Sequence, residues 1–237
     1  VPEAYPWARF AGETVGRFML RYLENHGAHV QAQAMPLRLE GEGRVQRVVL
    51  STGHTLETDF VVPAIGINPN KELLRGTPIA AEKAILVDDH CRTSHPDIYA
   101  AGDCSAVYDA LFGKYRWLDH WEAAAMMGRV AGANMAGGDE RHATVDHYSS
   151  GALGASLAVW GEWRHIERRI VRGNTSVENA DFVEIGVASD GRVSQVLAVN
   201  HRGEDEILRD LVQRRMNVNG QESHLRDPAK PLRDLLG

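Results

Sequence analysis

The chain has 237 residues, 43% hydrophobic and 24% charged, with a formal net charge of -6 and a pI near 6.0. That is enough apolar material for one large domain or two small ones, and the acidic balance argues against nucleic acid as a partner, since phosphate binding needs clustered Lys and Arg. The two cysteines form no CxxC or CxxxxC arrangement, which argues against a disulfide scaffold or dithiol pair and suits a reducing, cytoplasmic setting; no apolar run approaches the ~20 residues of a membrane span.

The chain opens at Val1 in VPEAYPWARF, a loop-like stretch that reads as a cut point. In GETVGRFMLRYLENHG, Val15, Phe18, Met19, Tyr22 and Leu23 recur at helical spacing and Gly27 stands where a C-terminal cap belongs, which predicts an amphipathic helix over 13–26. AHVQAQA, PLRLEG and RVQRVVLSTGHTLETDFVVPAIG are β-rich, with Ser51-Thr52-Gly53-His54 as a turn. Phe60-Val61-Val62 reads as a buried strand, broken by Ile65 to Asn70. ILVD, 85–88, predicts a short strand, HCRTSHPD a loop, and Asp97 to Ala101 the next strand. Residues 117–136 predict a helix with many small residues, a face suited to close approach by a backbone or a flat ligand, or to tight packing.

AGGDERHAT, 136–144, is a linker by composition. After it, SLAVWGEW, HIERRIVRG, DFVEIGVASDG and RVSQVLAVN predict four strands, with Asp190-Gly191 as a hairpin turn. GEDEILRDLVQRRM, 203–216, predicts a helix, and the last twenty residues are polar and predicted to wrap the surface.

In open α/β sheets, ligands sit at the carboxyl ends of strands. Gly102-Asp103 ends such a predicted strand, where the glycine permits close approach and the carboxylate can accept a hydroxyl hydrogen bond. A capping aspartate is the alternative. The longer stretch TSHPDIYAAGDCSAV resembles the second flavin-contacting segment of the FAD-dependent pyridine-nucleotide oxidoreductases, roughly T-x(3)-D/N-I-Y/W-A-x-G-D, through Thr93, Asp97, Ile98, Tyr99, Ala100, Gly102 and Asp103. The resemblance implies that Asp103 bonds the ribityl chain of FAD. LETDFVVPAIGINPN is similar to the family's D-x-V-x-x-A-x-G-x-x-P-N through Asp59, Val61, Ala64, Gly66, Pro69 and Asn70, which implies that Gly66 lies beside the nicotinamide nucleotide. VYDALFGKYRWLDHWEAAAMMGRVAGANMAGG resembles the branch of the apoptosis-inducing factors and the ferredoxin and rubredoxin reductases. There the resemblance implies that Asp119, His120 and Trp121 stand at the flavin pyrimidine end and near the nicotinamide.

The resemblance departs in two places. The family's F-W-S-D-like segment is His147-Tyr148-Ser149-Ser150 here, with Ser149 at the tryptophan position, so either Tyr148 serves or the aromatic wall is absent. Neither GxGxxG fingerprint is found; Gly41-Glu42-Gly43 and Gly151 to Gly154 lack the strand–turn–helix context that holds a pyrophosphate.

These readings predict an α/β fold: a partial FAD/NAD(P)-binding Rossmann-like unit followed by a small α+β reductase C-terminal domain. Residues 1–70 are assigned to the second half of an NAD(P)-binding domain, 71–138 to the returning segment of an FAD-binding domain, and 145–237 to the C-terminal domain. The implied function is part of a flavoprotein oxidoreductase, with FAD and NAD(P)H as cofactors, that passes electrons to a ferredoxin- or rubredoxin-like protein, a quinone or oxygen. Without both fingerprints the chain is expected to be inactive alone and to pair with a missing N-terminal half or with itself. The alternative is a non-catalytic interaction module that keeps the scaffold. No nucleophile–base pair stands out, Cys104 reads as a small buried residue, and eleven histidines show no ligand spacing for a metal.

Overall fold

The computed structural model describes residues 1–143 and 145–237. Thr144, the end of the predicted linker, lies outside the described residues.

Helix α1 (Glu13–Asn25) buries Val15, Phe18 and Met19 on one face, as their spacing requires. It ends in a Schellman arrangement: Gly27 has φ +84°, its N–H donates to the Glu24 carbonyl at 3.0 Å, and the Ala28 N–H donates to the Leu23 carbonyl at 3.0 Å. Strands β1 (Pro36–Glu40), β2 (Arg47–Leu50) and β3 (Thr55–Glu57) form an antiparallel meander. The turn at Ser51–His54 is where the sequence puts it, with Gly53 at φ +84°.

The predicted strand at Phe60-Val61-Val62 does not form. The segment is irregular, with Phe60 75% and Val62 77% exposed, because none of the described strands pairs with it. An apolar run alone cannot make a strand without a ladder partner.

Strand β4 (Ile85–Val87) runs parallel to β5 (Ser105–Asp109), which pairs antiparallel with β6 (Lys114–Trp117). Helix α2 (Trp121–Met135) packs on them through Ala123, Met127, Val130 and Ala131. Two expectations need correction. Asp97 to Ala101 is not a strand: Asp97 closes a turn, and the residues after it make one bridge, Tyr99 to Arg92. The segment's backbone groups are spent on the preceding loop, where the Thr93 N–H donates to the Ile98 carbonyl and the Ala100 N–H to the Cys91 carbonyl. The helix starts at Trp121 rather than 117, because Lys114 to Trp117 are taken by the β5–β6 hairpin.

The C-terminal sheet has five antiparallel strands in the order β7-β8-β11-β10-β9. They are β7 (His147–Ala152), β8 (Ala155–Gly161), β9 (Ile166–Asn174), β10 (Asp181–Ala188) and β11 (Val193–Val199). Four match the predicted strands. β7, with its Ser-Ser-Gly, was not expected; it pairs along β8, where the His147 ring stacks on Trp160 at 5.0 Å. The Asp190-Gly191 turn forms with Gly191 at φ +77°.

Both faces of this sheet are covered. Val196 and Ala198 of β11 face α3 (Asp205–Gln213), α4 (Glu222–Arg226) and a final turn at Leu232–Leu235. Leu197 and Val199 face α1. A central strand buried on both sides reads as a continuous apolar run rather than an alternating one. The last twenty residues therefore do more than wrap the surface: Leu225 and Leu232 are fully buried in the core.

Candidate functional site

A cleft of about 730 Å³ opens where several segments converge, four of which supply most of its lining. The end of β6 supplies Arg116 to His120, and the irregular segment supplies Ile65 to Asn68. Trp7, Arg9 and Phe10 come from the loop before α1, and Tyr148 to Ser150 from β7.

Gly66 lines the cleft at φ +95°, a left-handed conformation that favours glycine, although a Cβ there would meet only open space. Asp119 is exposed at the rim. His120 is the N-cap of α2: the Ala123 N–H donates to its Nδ1 at 3.3 Å. Its Nε2 lies 2.7 Å from Asp146 Oδ1, and its ring is 5.1 Å from that of Tyr148. Burial lowers its proton affinity, but the hydrogen bond and charge of Asp146, with help from Glu122, outweigh that and hold it above the ordinary histidine range. Tyr148 is pushed the other way from ionisation, its phenol raised first by burial and then by Asp146.

Gly102 and Asp103 do not line the cleft but stand next to it. They form one helical turn, Gly102–Cys104, at the start of α2, with Gly102 at φ +76° and a Cβ there 3.5 Å from Ala124 Cβ. Trp117 joins the turn to the cleft, since its Nε1–H donates to the Asp103 carbonyl at 2.7 Å. The Asp103 side chain is exposed. Trp121 does not line the cleft and is 79% exposed. Of the six residues singled out in the sequence, the fold therefore brings Gly66, Asp119 and His120 together, sets Gly102 and Asp103 beside them, and leaves Trp121 outside. Cys104 is half-buried rather than buried, its thiol donating to the Ala101 carbonyl at 3.4 Å.

Sequence reasoning missed the charged floor of the cleft. Arg116 is buried and clamped by three carboxylates: Asp109 at 2.8 Å, Asp146 at 3.2 Å and Glu162 at 3.0 Å. It also donates to the Gly161 carbonyl at 2.8 Å. Burial pushes the Glu162 carboxyl upward, but Arg116 and Arg164 more than reverse this and hold it below the usual range. The one local signal was an arginine inside a short β run flanked by Tyr115 and Trp117, a cation the strand must either expose or pair. Among the described residues, no group of three or more His, Cys, Asp or Glu side chains could hold a metal, and no helix is long and apolar enough to cross a membrane.

The profile of the family described as pyridine nucleotide-disulphide oxidoreductase matches residues 3–128. The chain belongs to the pyridine nucleotide-disulphide oxidoreductase family. Among relatives, it is 28% identical over 199 residues to the ferredoxin–NAD(+) reductase component of the anthranilate 1,2-dioxygenase system of Burkholderia cepacia, covering 84% of this chain and 48% of that one. It is 31% identical over 212 residues to apoptosis-inducing factor 3 of Mus musculus, covering 87% and 34%. Among solved structures, the covalent putidaredoxin reductase–putidaredoxin complex matches with a TM-score of 0.89 at 25% identity, over 99% of this chain and 56% of that one. The ferredoxin reductase for the CYP199A2 system of Rhodopseudomonas palustris, at 22% identity, also has a TM-score of 0.89 and shares the fold. The chain spans about half the length of the reductase relatives it matches, 48% and 55% of the first two. The oxidoreductase family membership and the α/β fold expected from the three motifs thus hold.

Proposed function

We propose that this chain is the carboxyl-terminal portion of an FAD-dependent oxidoreductase that takes electrons from NAD(P)H and delivers them to a small electron-transfer protein. The observation that carries the reading is the convergence of Gly66 and the Asp119-His120 pair, from two separate motifs, on one cleft beside the Gly102-Asp103 turn. The relatives named as ferredoxin reductases support the protein acceptor.

The residues fit the cofactor. Gly102 offers a backbone without a side chain at a left-handed turn, and Asp103 an exposed carboxylate able to accept from a sugar-alcohol hydroxyl. Hydride acceptance from a nicotinamide and onward release of electrons would be the chemistry supplied by FAD when bound. The chain's part is placement and tuning. Gly66 leaves its wall open for a flat ring. The positive end of α2, at Asp119 and His120, suits negative charge gained by the pyrimidine end. Tyr148, packed edge-on against Phe10 with ring centres 6.3 Å apart, supplies an aromatic wall in place of the tryptophan.

Absence of both glycine fingerprints leaves the adenine and pyrophosphate without their usual cradle, so we propose weak FAD affinity and no turnover by these 237 residues alone. Segments from a missing N-terminal half would pack on the exposed Phe60, Val62 and Ile65 and on the outer stripe of α2 from Trp121 to Met135. The proposed division is 1–70, 71–138 and 145–237, supported by each sheet falling within one segment, with α1 of the first segment packed on the sheet of the third. Two cysteines outside any disulfide suit the cytoplasm.

The test is a fluorescence titration of FAD with the purified chain. Saturable quenching that weakens in Asp103→Ala and His120→Ala supports the reading. Quenching indifferent to both substitutions, or none up to the solubility limit of the protein, overturns it.

A further inference from the structure

We propose that Asp146 is the positioning residue of His120, with Arg116 as its anchor, and that the pair ties the proton on the imidazole to the capping of α2. The inference rests on the cofactor reading for its role, but not for its geometry.

The ring has two nitrogens and each has a partner. The Ala123 N–H donates to Nδ1 at 3.3 Å. A nitrogen that accepts carries no proton, so the neutral ring has its hydrogen on Nε2 and donates it to Asp146 Oδ1 at 2.7 Å. Asp146 cannot turn away. It is buried, and its other oxygen accepts from Arg116 Nη2 at 3.2 Å. Arg116 in turn is fixed by Asp109, Glu162 and the Gly161 carbonyl. The tautomer of one ring at the cleft is thus set by a chain of bonds that runs from α2, through the segment entering β7, to β6.

A second proton can only go to Nδ1. There it meets the Ala123 N–H, donor against donor, and the cap is lost. Glu122 Oε2, 3.4 Å from Nδ1, is the acceptor that replaces it. The groups facing the ring are Asp146 from the segment before β7, Tyr148 and His147 on β7, and Glu122 at the start of α2, with Arg116 behind Asp146 and Asp119 the preceding residue in the chain. Two carboxylates in contact with the ring favour the proton over burial, which opposes it. Negative charge gained in the cleft adds to theirs. Proton uptake from solvent then accompanies that charge, and the exchange of a neutral cap for an ion pair with Glu122 marks it.

The experiment is nitrogen-15 NMR of the histidine side chains and of the Ala123 amide in the intact chain, across pH. Expected are the Nε2–H tautomer of His120 at high pH and an Ala123 amide that titrates with the ring. In Asp146→Asn the His120 titration moves to lower pH and the Nδ1–H tautomer appears. Asp146→Glu restores both signatures, and Glu122→Gln lowers the titration without changing the tautomer. A parent chain dominated by the Nδ1–H tautomer overturns the proposal, as does an Asp146→Asn chain with a dispersed spectrum and an unmoved titration. If Asp146→Asn fails to fold, Glu122→Gln and Asp146→Glu decide it. FAD titration separates the two readings: expected histidine behaviour without FAD binding removes the cofactor role and keeps the positioning, and the reverse does the opposite.

Discussion

Glu184 Oε1 accepts the N–H of Gly12 at 2.7 Å, across 172 positions of sequence. Gly12 is the N-cap of α1 and brings no side chain to that task, so a buried carboxylate on β10 supplies the acceptor and the negative charge that a helix start favours. Arg169 on β9 pairs with the same oxygen at 2.7 Å. Glu184→Ala strips the cap and leaves the guanidinium without its carboxylate, with only Gln195 and the Phe10 carbonyl to accept from it, and is expected to destabilise the chain by about 2–4 kcal/mol. Urea unfolding measures it. A variant as stable as the parent would mean that the apolar face of α1 holds the helix unaided.

Arg116 carries a larger share of the fold. Arg116→Met keeps much of the volume but removes the cation shared by three buried or nearly buried carboxylates, Asp109, Asp146 and Glu162, leaving Glu162 to Lys114 and Arg164 and Asp146 to His120. Breaking a buried ionic cluster from one side is expected to cost about 3–5 kcal/mol. The same denaturation experiment checks it, and a quadruple variant that also neutralises the three carboxylates should recover much of the loss.

Two histidines respond to pH in opposite senses. His142 is buried, and burial holds it below the ordinary histidine value of 6.5 despite the opposing charges of Asp146 and Asp109. Its contribution is complete above pH 6.5 and is lost as pH falls toward its folded value, because the unfolded chain takes the proton first. His120 is held above 6.5, so its contribution is complete below that pH and is lost as pH rises through its folded value. His142→Asn should flatten the stability profile on the acid side and His120→Asn on the basic side. Below the ordinary glutamate value of 4.5, Glu162 adds a further loss, since its folded carboxyl stays ionised to lower pH than the unfolded one. Stability measured by urea at stepped pH reports all three. The idea fails if the two histidine variants flatten the same side.

Gly66 and Gly102 separate backbone strain from crowding. Both have positive φ, and alanine fits both sterically: open space surrounds the first, and ordinary contact with Ala124 the second. Each Gly→Ala change is therefore expected to cost only about 1–2 kcal/mol, from the left-handed conformation. Thermal unfolding checks it. A much larger loss at Gly102 would mean that the turn and α2 cannot give by even a few tenths of an ångström.

What the sequence revealed depended on how locally each feature was encoded. α1 follows from the spacing of its apolar residues and the glycine that caps it, and β11 from its apolar run after the Asp190-Gly191 turn. Phe60 to Val62 looks like a strand because composition registers hydrophobicity but not whether a pairing partner exists. β7 was invisible for the converse reason: Ser149, Ser150 and Gly151 have no strand propensity, and the neighbouring β8 imposes the conformation. Gly66, Asp119 and His120, singled out through fixed-register motifs, line one cleft. Asp146 and Glu162 were not singled out, because they meet Arg116 only after residues 109, 116, 146 and 162 have been folded together, and no periodicity links those positions.

The contact of α1 with the C-terminal sheet sets an order of events during synthesis. The ribosome makes α1 before the sheet it packs on: Phe182, Leu197 and Val199, against which Phe18 and Met19 rest, belong to β10 and β11 and emerge well after it. A helix this short is marginal in isolation. Its apolar side must wait, bare or sheltered by a chaperone, until nearly the whole chain is out, so a nascent chain stalled before β10 should expose a sticky surface that the finished molecule hides.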